Sequence, residues 1–349
     1  MKTLKQVLGI DVSQKELVVT LGKKDEELSI NLYAKRVFKN NESGFKALLK
    51  WVKRLTEDQV KVQFVMEATG VYHEKFAYFL DENSQNVCII LPNKISNFMR
   101  TLENKTITDS TCADAIAQFG LERKLENWSR PNKTYKKLQQ LTRERDQIVD
   151  ERVAVKNQLH AEETEAEPNS NTIKRLKSRI KFLNKQEAEI KAELESVINK
   201  NEEVKQEVDK LSTIPGVGRL TATIVLAETN GFELIRNKKQ LVSYAGLDVR
   251  EKLSGTSVKG KPRISKKGNK KLRRAMHMPS LKAVKNIQIY KELYIRLVSK
   301  SGIKMKGLVA VQRKLLELMY VLYKNKTTFQ PDYEIQKRAQ SQQKLECTL

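Results

Sequence analysis

Cysteine and histidine are both scarce in this chain, three of each among 349 residues. Cys88, Cys112 and Cys347 are scattered too widely for a disulfide framework or a zinc-ligand pattern. His73, His160 and His277 are too few and too far apart for a histidine metal site. Such cysteine usage is that of a reduced, cytoplasmic protein. No uninterrupted apolar run reaches the ~20 residues that span a bilayer, so a membrane partner is not expected. The start, MKTLKQVLGIDVSQ, has no long apolar stretch of the kind a signal peptide carries. Acidic residues are also in deficit, 42 against 66 Lys and Arg, which leaves a net charge of +24. A field of that sign and size suits a polyanion, because each neutralised phosphate releases counterions.

The length allows two or three domains, each with its own core. Residues 1–127 read as α/β. Alternation and β-branched residues mark strands at 6–11, 16–22, 34–39, 62–67 and 87–91, and helical periodicity marks 43–55, 72–82, 93–101 and 109–122. Ser43 and Asp109 are good N-cap residue types at helix starts. Three opening strands followed by alternating helices and strands is the order of a ribonuclease-H-like sheet.

Composition shifts at Trp128-Ser-Arg-Pro131, and residues 128–212 form the second region. From 134 to 212 there is no glycine and one proline, Pro168. Leu138, Leu141, Ile148, Val155 and Leu159, then Ile173, Leu176, Ile180, Leu183, Ile190, Leu194 and Ile198, recur at helical spacing around an EAEPNSN turn. Two long antiparallel helices in coiled-coil fashion are expected, serving as a solvated spacer or as a dimerisation element. Residues 213–328 read as a mostly helical third region, and 329–349 as a polar tail.

Three acids stand at element ends: Asp11 at the end of one strand, Glu67 at the end of another, Asp109 at a helix start. Strand ends at one sheet edge would bring Asp11 and Glu67 together, and hard carboxylate oxygens are what Mg²⁺ prefers. Each acid alone reads equally well as a solvated strand end; the case for metal rests on the three together.

In the third region, Ile214-Pro-Gly-Val-Gly218 before a small-residue helix has the form of a helix-hairpin-helix turn. Gly216 and Gly218 would let the backbone approach a phosphate at a helix N-terminus, although an ordinary tight turn reads as well. Between Arg250 and Lys285 there are thirteen Lys or Arg residues and one acid, Glu251. Gly255 through Lys261 fits the first seven positions of a Walker A motif, but Pro262 occupies the place of the Mg²⁺-binding Ser or Thr, which excludes a nucleotide loop. A Ser/Gly loop in a cationic setting remains. Chemistry alone leaves Ser254 and Ser257 open between hydrogen-bonding a phosphate and attacking it.

GIDVSQKEL, MEATGVYHE, TDSTCADAIAQFG, IPGVGRLTATIVLAE, QLVSYAGLDV and SGTSVKGKPRISKKGNKKLRRAMH, in that order and spacing, resemble one family over roughly residues 4–325. It is the bacterial insertion-sequence transposases with an N-terminal RuvC-like DEDD domain and a C-terminal serine-bearing domain, which includes the Piv-type DNA invertases. The resemblance implies that Asp11, Glu67 and Asp109 hold Mg²⁺ and that Ser254 attacks DNA to form a covalent phosphoserine link. It also implies a composite site in a homo-oligomer, dimer or tetramer, and a structured noncoding guide RNA that pairs with target and donor DNA. Lys259, Lys261, Arg263, Lys266, Lys267, Arg273 and Arg274 would ground the nucleic-acid backbone.

One departure matters. The family pattern D-x-x-D-A becomes Asp109-Ser-Thr-Cys112-Ala113, with Asp114 two residues beyond the vacant acidic position. Residues three apart share a helix face, whereas Asp114 lies about 140° round the helix from Asp109. Asp114 is the candidate replacement ligand only if the helix starts late or is distorted. A Holliday-junction-type structure-specific nuclease and a catalytically decayed nucleic-acid-binding protein are the alternatives to a recombinase.

Overall fold

The computed structural model describes residues 2–68, 70–102, 106–251, 253–254, 258–260 and 262–331. The chain divides after Arg130 into two compact units.

The first unit is a five-stranded mixed sheet. Strands β1 (Thr3–Val12), β2 (Glu16–Asp25) and β3 (Ile30–Lys39) form an antiparallel meander; β4 (Val62–Glu67) and β5 (Asn86–Ile90) join parallel to β1, in the order β3-β2-β1-β4-β5. This is the order and direction expected of a ribonuclease-H-like sheet. Helices α1 (Glu42–Leu55), α2 (Glu74–Glu82), α3 (Pro92–Met99) and α4 (Asp109–Glu122) cover it. Alternation sorts the strands into two faces. Leu8, Ile10, Leu17, Val19, Phe64 and Met66 pack with Phe45, Leu48, Phe76 and Leu80 of α1 and α2. Val7, Val65, Cys88 and Ile90 pack on the other face with Ile95 of α3 and Ile116 and Leu121 of α4.

Two N-caps differ from expectation. Asn41, not Ser43, caps α1, accepting from the Gly44 amide at 2.9 Å. Thr108, not Asp109, caps α4 and forms a reciprocal box with Thr111. In both cases the residue in extended conformation precedes the expected one, whose own backbone is already helical.

The second unit is mainly helical: α5 (Lys133–Thr164), α6 (Ser170–Asn199), α7 (Glu202–Ser212), α8 (Arg219–Thr229), α9 (Lys238–Tyr244), then two short β-ribbons, then α10 (Lys270–Ala275), α11 (His277–Asn286), α12 (Gln288–Ser301) and α13 (Lys304–Asn325). The ribbons pair β6 (Val249–Arg250) with β9 (Arg263–Ile264) and β7 (Leu253–Ser254) with β8 (Val258–Lys259). Helices α5 and α6 run antiparallel, since Lys137 meets Glu193, Arg145 meets Glu187 and Glu163 meets Lys177. Leu138, Leu141, Ile148 and Val155 face Leu183, Ile190, Leu194 and Ile198 in a core shared with α7, α8 and α13.

The second arm of the 128–212 region reaches just past Ile198, the last apolar position of its period. It stops at Asn199, and Asn201 caps a separate helix, α7, by accepting from Val204 N. Val204, Val208 and Leu211 then serve the core around α8 and α13. Among the described residues no helix is long and apolar enough to cross a membrane. The polar tail from 332 lies outside the described residues.

Candidate active site

Gly9 sets the geometry of the acidic edge. A Cβ on Gly9 would collide with the Ala113 carbonyl and the Ala117 backbone of α4, so the helix lies directly on β1 at this point. Side chains two apart on a strand share a face. Asp11 therefore points from β1 toward the first turn of α4, where Asp109 is the opening helical residue. The β1–β4 register, Gly9↔Val65 and Ile10↔Met66, continues to bring Glu67 beside Asp11.

Electrostatics agree with that placement. Burial, then the charges of Asp109 and Glu67, push the Asp11 carboxyl up to about 6. Cys112, one turn along α4 from Asp109, has its thiol pushed up by burial and then by Asp11, Glu67 and Asp109. The residue at the vacant acidic position thus faces the three acids.

Asp114 is placed elsewhere. Its carboxylate accepts from Thr20 Oγ1 of β2 at 2.8 Å and from Lys35 Nζ of β3 at 2.5 Å. Helix α4 begins at Asp109 without distortion, so Asp114 stays round the helix, over β2 and β3. Its carboxylate is thereby engaged in an ion pair with Lys35 on the side of α4 that covers β2 and β3.

Among the described residues, no three Asp, Glu, His or Cys side chains already close into a metal-binding group. The donor set nevertheless fits a hard divalent cation. Burial first, and then the charges of Asp109 and Glu67, raise Asp11, and a cation would relieve the repulsive part; Mg²⁺ keeps several waters and needs no closed protein cage.

In the second unit, Ser254 is placed by its backbone in β7, opposite Val258 of β8. The foot of this double ribbon is firmly tied. Ser265 Oγ donates to Asp248 Oδ1 at 2.5 Å, and the amides of Lys266 and Asn269 donate to the Gly246 and Tyr244 carbonyls at 3.1 and 2.7 Å. Gly246 (φ +66°) and Gly268 (φ +153°) make the close backbone crossing that these bonds require.

The cationic residues fall into two sets. Arg263, Lys266 and Lys267 are exposed. Arg273 instead donates to the Ala245 and Gly268 carbonyls at 2.8 and 3.3 Å, and Arg274 forms a two-pronged ion pair with Asp150 of α5. Arg273 is therefore committed to the fold rather than free for a backbone phosphate. Lys259 is described by its backbone in β8 alone, and Lys261, with Ser257, lies outside the described residues. Gly216 (φ +96°) is packed against Lys282 and the Pro279 carbonyl of α11, while the space beside Gly218, the N-cap of α8, is open.

A buried polar cluster has no counterpart among the expected residues. Glu228, 1% exposed, lies in the last turn of α8. It receives Arg143 of α5 through two bonds at 2.8 and 2.9 Å and Asn269 Nδ2 at 2.7 Å. Burial pushes its carboxyl up, but those bonds outweigh it and hold the group below its ordinary value. Glu228 and Asn269 thereby lash the ribbon's foot to the long hairpin. The only sequence signal was one acid closing the apolar helix TATIVLAE.

Residues 8–164 match the IS110-type DEDD transposase model, described as Transposase. Residues 208–294 match the model described as Transposase IS116/IS110/IS902 family. Pilin gene-inverting proteins of Moraxella bovis and Moraxella lacunata are each 26% identical over 327 residues, covering 93% of this chain and 98% of theirs. Thermus thermophilus RuvC in complex with Holliday junction substrate overlaps 35% of this chain and 99% of its own, at 12% identity and a TM-score of 0.27, too low to decide anything. Both family models point the same way, one mainly on the acidic unit and the other on the basic ribbon and its helices: the chain belongs to the IS110 family of transposases and is an enzyme of DNA recombination.

Proposed function

We propose that this transposase cuts and rejoins DNA through a carboxylate-held divalent ion and a covalent serine link. What supports the first half is the electrostatic coupling of Asp11, near the end of β1, to Glu67 at the end of β4 and Asp109 at the start of α4: burial, then the charges of Asp109 and Glu67, raise Asp11 to about 6. Those three carboxylates would hold Mg²⁺, which when bound supplies Lewis-acid polarisation of a phosphate oxygen. Cys112 faces the same point but is a neutral thiol there. Ser254 supplies the nucleophile. Its Oγ forms a bond to phosphorus as the bond from phosphorus to the leaving sugar oxygen breaks; the serine's proton passes to solvent and the departing oxygen takes one up to leave as a hydroxyl. The phosphoserine bond conserves the energy of the broken phosphodiester, so resealing by the incoming sugar hydroxyl needs no nucleotide cofactor. Exposed Arg263, Lys266 and Lys267 ground the polyanion.

A guide RNA, a homo-oligomeric assembly, a coiled-coil role for α5 and α6 and a cytoplasmic setting belong to the same reading, supported by the resemblance and by the strong positive charge. The test uses the full chain with donor and target DNA. Ser254→Ala is expected to abolish protein–DNA adducts that survive denaturant, and Asp11→Asn to abolish divalent-dependent cleavage, both retaining DNA binding. Undiminished recombination by Ser254→Ala would remove the serine link. Cleavage that leaves free ends and no adduct would favour the structure-specific nuclease. Cys112 at the fourth position favours the remaining reading, a decayed DNA-binding chain, which predicts no cleavage by the unmodified protein.

A further inference from the structure

Helix α10 turns two cations toward the acidic face of α5, where they meet carboxylates one helical turn apart. Lys271 Nζ lies 3.0 Å from Asp146 Oδ2, and Asp146 is largely buried with Arg145 also beside it. The second pair differs. Arg274 places Nη1 2.8 Å from Asp150 Oδ2 and Nη2 2.5 Å from Oδ1, with the two side chains 44% and 58% exposed. A guanidinium fork closed on two oxygens is the geometry arginine uses for carboxylate and phosphate alike. Lys270, next in the chain to Lys271, is exposed. The spacing of acids on α5 therefore presents to α10 what a nucleic-acid strand would present: negative groups in a row.

We propose that Asp150 is an intramolecular stand-in for a DNA phosphate, holding Arg274 in the free protein and yielding it to the DNA backbone on binding. Exposed ion pairs contribute little, so the exchange is cheap. Lys271, on its buried carboxylate, keeps α10 seated while Arg274 swings. Arg273 does not take part, since its guanidinium is bound to the Ala245 and Gly268 carbonyls. The inference rests on the reading that the basic ribbon and α10 meet DNA, and it assigns Asp150 a competing role that charge counting does not reveal.

The experiment measures binding of the full chain to a labelled 30-base-pair duplex over a range of NaCl concentrations, without divalent ions. Asp150→Asn is expected to tighten binding about two- to five-fold. Arg274→Ala is expected to flatten the slope of log K against log salt by about 0.9, the loss of one phosphate contact, and Arg274→Lys to restore it. Thermal unfolding of each variant separates these effects from loss of fold, which would not move the salt slope in this pattern. An unchanged slope in folded Arg274→Ala overturns the proposal, as does weaker binding by folded Asp150→Asn. Effects confined to an RNA duplex of the same sequence also overturn it. Lack of any salt-sensitive DNA binding by the unmodified chain would remove the reading beneath it as well, whereas failure of Ser254→Ala to affect adducts would leave this exchange intact.

Discussion

Gly9 of β1 lies directly beneath the backbone of Ala113 in α4, with no room for even a methyl group between them. Because that contact aligns Asp11 with Asp109, Gly9→Ala should lift the N-terminal half of α4 from the sheet. The colliding atoms are backbone and cannot swing aside. A destabilisation of about 1–3 kcal/mol is expected, as for an overpacked core. Loss of divalent-dependent cleavage should exceed what the unfolded fraction explains. Thermal unfolding together with a cleavage assay on the folded protein checks this.

Cys112→Asp restores a carboxylate opposite Asp11, Glu67 and Asp109. Without divalent ions a fourth like charge should lower stability by ~1 kcal/mol, or about 2–4 °C in unfolding midpoint. With millimolar Mg²⁺ the midpoint should rise more than in the unmodified protein, because a ligand stabilises only the state that binds it. Melting curves against Mg²⁺ concentration decide; an equal Mg²⁺ response in both proteins would remove position 112 from the site.

Asp11→Asn and Asp114→Asn should behave oppositely. Asp11 carries a charge disfavoured by burial and then by Asp109 and Glu67, so its amide should stabilise the metal-free fold and cancel the Mg²⁺-dependent rise in melting temperature. Asp114 is held by Thr20 and Lys35. Its amide should cost on the order of 1 kcal/mol and leave the Mg²⁺ response intact. A side-by-side titration of the two variants makes the comparison.

Much of the first unit was legible in the sequence because each face of its sheet is written in the period of its strands. Asp11 and Glu67 stand out there as acids closing apolar runs. What remained hidden depends on packing. Whether Asp114 or Cys112 meets the acids turns on helix phase, fixed by the Thr108–Thr111 cap and by Gly9. The short helix after Asn201 had no signal of its own, because Val204, Val208 and Leu211 stand in the same glycine-free, proline-poor stretch as α6 while serving the core around α8 and α13. Arg273 and Arg274 read as free positive charge, since nothing in a local window shows the Ala245 carbonyl or Asp150. Glu228 was invisible for a similar reason: Arg143, which neutralises it, lies 85 residues away.

Glu228→Ala should therefore be costly well outside the acidic site. It removes the partner of Arg143 and the anchor of Asn269 at once. Because Arg143 is half exposed, the loss should fall below that of a fully buried pair, at about 2–3 kcal/mol. If Glu228 holds the ribbon's foot, amide exchange around residues 244–250 and 265–269 should quicken more than elsewhere in the second unit. Uniform quickening would indicate a general loss of stability instead.

Glu187 of α6 is buried against Arg145 at 3.0 Å and Lys191 at 2.9 Å and is bonded by Arg152. Burial pushes its carboxyl up, but the bonds from Lys191 and Arg152 and the charge of Arg145 outweigh that and bring it down to about 2. A carboxyl lowered on folding contributes stability that is fully present above its unfolded value, near 4.5, and is lost as pH falls toward the folded one. The α5–α6 pair should accordingly weaken between about pH 4.5 and 2. Glu187→Gln should already be destabilised at neutral pH, where three cations lose their shared anion, and should show a shallower further loss across that window. Urea unfolding at a series of pH values, read by helical circular dichroism, measures both slopes; parallel curves for the two proteins would mean that other carboxylates carry the acid sensitivity.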